Sequence, residues 1–100
     1  MYLNGEGVTA DETKAAAWFR LAAEQGYSAS QSTLGLLYST GQGVHKNKIT
    51  ALMWLNISVS NGHPTAKNAR DLITFMMDPW EIREAEQLAR ECIAKNYKGC

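Results

Sequence analysis

The sequence predicts an all-α fold in which antiparallel helix pairs stack side by side and a last helix caps the stack. Ten residue pairs separated by 36 positions are identical, among them Tyr2/Tyr38 and Trp18/Trp54. A fixed period of about 20 to 50 residues is typical of stacked units that cover each other's apolar faces. Glycines at the expected helix ends, and a strong helix-start signal before the last helix, support the same fold class.

Length and charge limit the classes of function. A chain of 100 residues is long enough for one domain, and we assign residues 1–100 to a single helical-repeat domain. Ten Lys and Arg balance ten Asp and Glu, so the formal net charge is zero. Without a broad cationic surface, nucleic acid is not an expected partner. The sequence also lacks a run of 18 apolar residues, so no membrane span is predicted.

Helical periodicity predicts the elements. Ala15, Trp18, Phe19 and Ala22 recur at i, i+3, i+4 and i+7, the spacing of one buried helix face. Trp18 and its counterpart Trp54 are therefore predicted to be equivalent core residues. The predicted elements are a partial repeat at 1–10, repeat helices at 11–25, 28–40, 47–61 and 65–77, a capping helix at 79–95 and a tail at 96–100.

Turn and cap signals set the helix ends. Asp11 and Ser28 are predicted N-caps, because their side-chain oxygens can accept bonds from the first free N–H groups. Gly26 and Gly62 are predicted to take the left-handed conformation just past a helix end. The repeated Gly-x-Gly-Val segments at 5–8 and 41–44 predict tight turns, each carrying a valine that plugs the space between helix ends.

The last helix has the strongest start signal. Asp78, Pro79 and Glu81 supply an N-cap, a proline at the first helical position and a carboxylate at the third. One face of the helix is apolar and the other is charged, as a terminal element of a repeat array requires. The predicted apolar face consists of Ile82, Ala85, Ala89, Cys92 and Ile93.

The sequence begins in the middle of a repeat. With the period of 36, residues 1–3 align with residues 37–39, which form the last turn of a predicted helix. Any export signal would then lie upstream. Trp18, Phe19 and Leu21 would also lack part of their cover, so we expect a homo-oligomer, or a partner, at this incomplete N-terminal repeat.

The combination of Gly-x-Gly-Val, Ala-x-x-Trp, Ala-Ala-Glu-Gln-Gly and Leu-Gly-x-x-Tyr resembles the Sel-one-like repeat (SLR) family, a relative of tetratricopeptide repeats. The resemblance covers residues 1 to about 77. It departs from the family pattern at Ser30, and at Arg70-Asp71, which suggests that the array is ending there. The matching residues are Gly5, Gly7, Val8, Asp11, Lys14, Ala15, Trp18, Ala22, Ala23, Gly26, Leu34, Gly35, Tyr38, Gly41, Gly43, Val44, Ala51, Trp54, Gly62 and Ala66.

This resemblance implies a right-handed α-solenoid that acts as a scaffold or adaptor and binds a protein or peptide on its concave face. Family members hold other proteins together in bacterial envelopes and in endoplasmic-reticulum quality control. In such solenoids the first helix of each pair lines the concave side. The residues expected there are Ser32, Leu36, Ser39, Asn68, Leu72 and Phe75.

Two cysteines leave two interpretations open. Cys92 and Cys100 are eight positions apart, and a left-handed turn at Asn96 could fold the tail back far enough for a disulfide. A bridge would indicate an oxidising compartment, so a periplasmic or secreted location is predicted, with a cytoplasmic one as the alternative. The other interpretation is one buried thiol and one free terminal thiol.

An enzyme is the alternative function. Some cysteine-containing members of the resembled family have been discussed as hydrolases of the β-lactamase-like type. A cysteine nucleophile needs a neighbouring base, and the sequence places neither His45 nor His63 near Cys92. We therefore predict no catalytic residues, no cofactor and no metal site.

Overall fold

The computed structural model describes residues 10–100 and arranges them as five α-helices. These are α1 (Ala10–Glu24), α2 (Ser28–Thr40), α3 (Lys48–Ser60), α4 (Ala66–Thr74) and α5 (Pro79–Ala94). No β-strand occurs within this span, and the predicted all-α class is confirmed. The predicted turn at residues 5–8 lies outside the described residues, as does almost all of the predicted partial repeat.

The predicted helix C-termini are found at the glycines. Gly26 and Gly62 have φ angles of 95° and 84°, which is the left-handed conformation expected just past a helix end. Gly41 closes α2 in the same way, with φ 79° and its N–H donating to the Leu37 carbonyl. At each site the glycine turns the chain without the steric cost that a Cβ would bring.

Asp11 and Ser28, the predicted N-caps, are not the caps of their helices but lie inside them. α1 already includes Ala10, so Asp11 lies in the first turn, where its carboxylate faces the positive end of the helix dipole. The N-cap of α2 is Tyr27, without a side-chain cap hydrogen bond, and Ser28 is the first helical residue. In contrast, the start of α5 is as predicted: the Asp78 N–H donates to Glu81 Oε1 at 2.9 Å.

α4 is shorter than the predicted 65–77 helix. It ends at Thr74, and the next residues form tighter turns in which the Met77 N–H donates to the Thr74 carbonyl at 3.1 Å. Asp78 then has extended backbone angles as the N-cap of α5. The chain needs these residues to change direction, which the helical periodicity of the sequence does not reveal.

α3 occupies the centre of the fold. It packs against α2, α4 and α5, while α1 packs on α2. Leu52, Trp54, Leu55 and Ile57 of α3 are completely buried. One apolar cluster joins α3 to α1, α2 and α5, and a second joins α3 to α4 and α5. α5 therefore covers α3, as predicted for a capping helix.

The two repeated tryptophans have unlike surroundings. Trp54 is completely buried, but Trp18 is 71% exposed, so the prediction of equivalent core positions is wrong. The reason is that α1 packs mainly on α2, whereas α3 has three packed neighbours. Leu21 on α1 is also exposed and Phe19 is half-buried, which matches the expectation that this helix lacks part of its cover.

Gly35 allows α2 and α3 to approach each other closely. A Cβ added to Gly35 of α2 would lie 2.9 Å from Leu55 Cγ and 3.0 Å from the Ala51 carbonyl oxygen of α3. Both distances are shorter than normal van der Waals contact. Gly35 thus sets the spacing between α2 and α3.

The loop between α2 and α3 is in direct contact with α1. Gly43 has φ 76°, and an added Cβ there would collide with the Glu12 carbonyl oxygen and lie 3.1 Å from Ala16 Cβ. Val44, the predicted plug, is half-buried. Glycine is therefore needed at both positions 41 and 43 for the left-handed backbone conformation, and at Gly43 also for close packing against α1.

We expect Gly43→Ala to destabilise the fold more than Gly62→Ala. Both positions have positive φ, and that strain alone costs about 1–2 kcal/mol. A Cβ at Gly62 meets nothing within 4 Å, whereas at Gly43 the clash with α1 adds an overpacking cost of about 1–3 kcal/mol. Urea unfolding followed by circular dichroism measures both variants. Equal losses of unfolding free energy would show that the contact with α1 contributes nothing.

Candidate functional site

A groove between α2 and α4 is a candidate binding site. Its volume is about 470 Å³, within the usual range for ligand-binding clefts. Apolar side chains and two lysines dominate the lining. The lining residues are Leu36, Ser39, Thr40, Lys46, Lys48, Leu55, Ala69, Leu72, Ile73 and Met76.

The floor and the walls come from different elements. Leu55 and Ile73 are buried and form the floor. Leu72 on α4 and Met76 in the turn just after it are 73% and 68% exposed. Leu36 of α2 forms the opposite wall and is 46% exposed. The groove therefore presents flexible apolar walls to solvent above a fixed floor.

Three of the six predicted binding residues line this groove, namely Leu36, Ser39 and Leu72. Asn68 and Phe75 are exposed on α4 but do not line the cavity, and Phe75 is 91% exposed. Ser32 is buried instead, at 5% exposure. Its burial arises because α2 packs against both α1 and α3, which cover more of its circumference than one apolar stripe indicates.

Sequence reasoning did not assign the remaining lining residues to the site. Thr40 ends α2, Lys46 lies in the loop before α3 and Lys48 begins α3. Ala69 and Ile73 belong to α4, and Met76 follows it. Leu55 reaches the groove from the central helix. Their meeting depends on how α4 docks on α3, for which a single sequence carries no signal.

The charged groups of the groove are all positive. Lys46 and Lys48 line it, and no Asp or Glu does. Within residues 10–100, neither ammonium group has a carboxylate within ion-pair distance; the recorded pair is the exposed Arg70–Asp71 contact at 3.3 Å. α3 also has no acidic residue in its first turn, where Lys48 is the first residue. The groove thus carries uncompensated positive charge at the helix N-terminus, where the dipole is also positive.

The described residues form neither a metal site nor a membrane span. No three His, Cys, Asp or Glu side chains among them lie close enough to hold a metal ion. None of the described helices has the length and apolar content to cross a bilayer.

Comparison with known families agrees with the helical architecture. The family model described as Sel1 repeat matches residues 1–27 and 28–63. The chain belongs to the Sel1 repeat family. The second match contains α2 and α3 together, and the first ends just after α1. The family assignment supports a repeat-based scaffold for protein interactions.

A solved structure shows the same Sel1-type fold. It is the crystal structure of c5321, described as a protective antigen present in uropathogenic Escherichia coli strains displaying an SLR fold. The two are 32% identical with a TM-score of 0.80, and the match covers 93% of this chain. The chain spans 21% of the length of that protein. No curated protein matches the sequence.

A disulfide closes the C-terminal end of this Sel1 repeat array. Cys92 on α5 is bonded to Cys100, with a Cα–Cα distance of 5.7 Å. Asn96 and Tyr97 have φ angles of 55° and 66°, which is the left-handed turn that folds the tail back. The Cys92 side chain lies in the core cluster, and Cys100 packs against that cluster.

The tail held by this disulfide contacts the ends of earlier helices. Tyr97 Oη donates to Asn61 Oδ1 at 3.2 Å, and Asn61 Nδ2 donates to the buried Gln31 at 2.8 Å. Lys98 Nζ donates to the Glu24 carbonyl oxygen at 2.8 Å. Because Glu24 is the last residue of α1, this ammonium group satisfies a free carbonyl at the negative end of the helix dipole.

We expect Cys100→Ser to lower the free energy of unfolding by about 2–3 kcal/mol, because the disulfide restricts a short loop of the unfolded chain. Chemical unfolding of the two proteins measures the difference. Thiol titration of the denatured chain without reductant should find no free thiol, and two after reduction. Two free thiols in the unreduced sample would contradict the bridge.

Proposed function

We propose that the groove between α2 and α4 binds a peptide segment or a helix of a partner protein. The observation that carries the proposal is the exposure of Leu72, Met76 and Leu36 around a cavity of about 470 Å³. Burying apolar surface contributes about 25 cal/mol per Å², so a partner that covers these side chains gains free energy. The buried floor gives such a partner a preformed site.

The geometry suits protein side chains better than a small polar metabolite. Apart from the two lysines at one end, the polar lining groups are the hydroxyls of Ser39 and Thr40. Thr40 Oγ1 already donates to the Leu36 carbonyl at 3.1 Å, and Ser39 Oγ donates to the same carbonyl at 2.7 Å. The wall residues thus recognise apolar groups, as in helix-in-groove complexes.

A hydrolase with a cysteine nucleophile is the alternative function, and it has little support. Cys92 and Cys100 are joined in the disulfide, and nucleophilic attack requires a free thiolate. A turnover assay with a penicillin substrate tests this alternative directly. Hydrolysis above the buffer rate would favour it over a scaffold without activity.

The disulfide also supports an oxidising location. Disulfides persist in the periplasm and in secreted proteins, and they are rare in the reducing cytosol. We therefore propose a periplasmic or secreted location, in line with the bacterial protein of known structure that the chain resembles. Its test is the thiol content of the protein isolated from each cell fraction.

The exposed face of α1 supports a second contact. Trp18 and Leu21 lie one turn apart and are 71% and 53% exposed. A large apolar patch of this kind is typical of an interface. We propose that copies of the chain associate through this face.

Leu72→Asp should weaken the binding of peptides in the groove. We expect 12-residue peptides selected on the full chain from a random display library to bind this variant at least about tenfold more weakly, since apolar anchors dominate such sites. Fluorescence polarisation measures the affinity, and NMR shift mapping locates the bound peptide. Leu21→Asp, on α1, is the control and should bind normally. If both variants bind as the parent does, the groove is not the site.

Self-association through α1 would make the mean mass of the protein depend on its concentration. Light scattering should show the mean mass rising with protein concentration, and Trp18→Lys should remove the rise because it places a charge in the apolar contact. Phe75→Lys alters another exposed aromatic residue, at the C-cap of α4, and should leave the rise unchanged. A clean monomer at the highest concentration would exclude the contact.

A further inference from the structure

We infer that the partner segment of the groove is acidic as well as apolar, with its carboxylates lying beside Lys46 and Lys48. This inference rests on the proposed function and names the chemistry of its partner. It follows from the placement of charge in the groove and from the absence, in residues 10–100, of any carboxylate that neutralises that charge.

The positive charge of the groove is a local excess. The whole chain has zero formal net charge, yet the groove lining contains two lysines and no carboxylate. Two of the acidic groups, Glu84 and Glu91 of α5, border a separate cleft. A ligand in the groove therefore meets two ammonium groups and no lining carboxylate.

The lysines are placed where folding alone does not favour them. Lys48 is the first residue of α3, and a cation near a helix N-terminus is unfavourable because the dipole is positive there. Asn47 already caps this helix, with its Oδ1 accepting the Thr50 N–H at 3.0 Å, so the lysine does not serve as a cap. A carboxylate from a partner would be attracted by both ammonium groups and by the helix end.

The apolar and charged parts of the groove form one continuous surface. Lysine side chains line a cavity with their methylene stems while the ammonium groups stay in water. Leu36, Leu72 and Met76 can thus hold apolar anchors of the partner, and its acidic residues lie next to those anchors at the α2–α3 loop. A segment with adjacent Leu or Phe residues flanked by Asp or Glu meets both requirements.

The test selects peptides on the protein and then measures how their binding changes when the charge of the groove is reversed. A random library of 12-residue peptides is selected on the folded chain. The Asp and Glu content of the binders is then compared with that of the unselected library. We expect enrichment of acidic peptides with two or more apolar residues. Lys46→Glu/Lys48→Glu should weaken their binding about three- to thirtyfold, since each exposed pair contributes modestly, and 0.5 M salt should weaken it in the parent.

The control is Lys14→Glu/Lys67→Glu, which changes the net charge equally at exposed residues outside the groove. It should bind the acidic peptides as the parent does, and a melting curve shows that each variant is folded. Peptides in which Lys replaces Asp and Glu should bind the groove charge-reversal variant better than the parent.

The outcomes separate this inference from the proposed function. One result is that the selected peptides depend on Leu72 but show no excess of Asp and Glu. Another is that they bind the groove charge-reversal variant as well as the parent. Either result overturns the inference and leaves the groove proposal standing. If no selected peptide depends on Leu72, both fail. If acidic peptides compete with a second copy of the chain for the groove, through its acidic α5, then the occupant is another copy and the inference of a distinct partner is wrong.

Discussion

The burial of α3 on all sides is the constraint on which the rest of the fold depends. Residues 51–55 are five consecutive buried residues, and a helix without a polar face needs neighbours around its whole circumference. α2, α4 and α5 supply them. Because α5 packs on α3 and α4 docks beside it, the space above Leu55 remains open between α2 and α4. The groove is therefore a result of how α3 is covered.

The end of the sequence repeat explains why the walls of the groove stay exposed. In the second repeat Gly35 allows α3 to approach α2 closely. The residue 36 positions later is Asp71, which is exposed and would not permit such an approach. α5 packs on α3, and the apolar side chains of Leu72 on α4 and Met76 just after it face solvent. The loss of the glycine at this position thus coincides with an exposed apolar surface.

Local signals carried most of the architecture, because each depends on a few neighbouring residues. Gly26, Gly62 and Asp78 marked helix ends through backbone conformation and capping, which a sequence displays directly. The end of α4 at Thr74, the burial of Ser32 and the exposure of Trp18 depend instead on which helices lie alongside. The same holds for the groove. Leu36 and Leu72 were expected on the binding face, whereas Lys46 and Lys48 line the groove with them only because of how α4 docks.

The tail contact at Glu24 changes how this repeat protein behaves as a whole. Stacked repeats ordinarily interact only with their immediate neighbours, and each can open by itself. Here the bond from Lys98 to the Glu24 carbonyl joins residues 74 positions apart, and the disulfide fixes that bond to α5. The end of α1 is consequently tied through the tail to α5, and moving α1 away from the stack must also break this hydrogen bond.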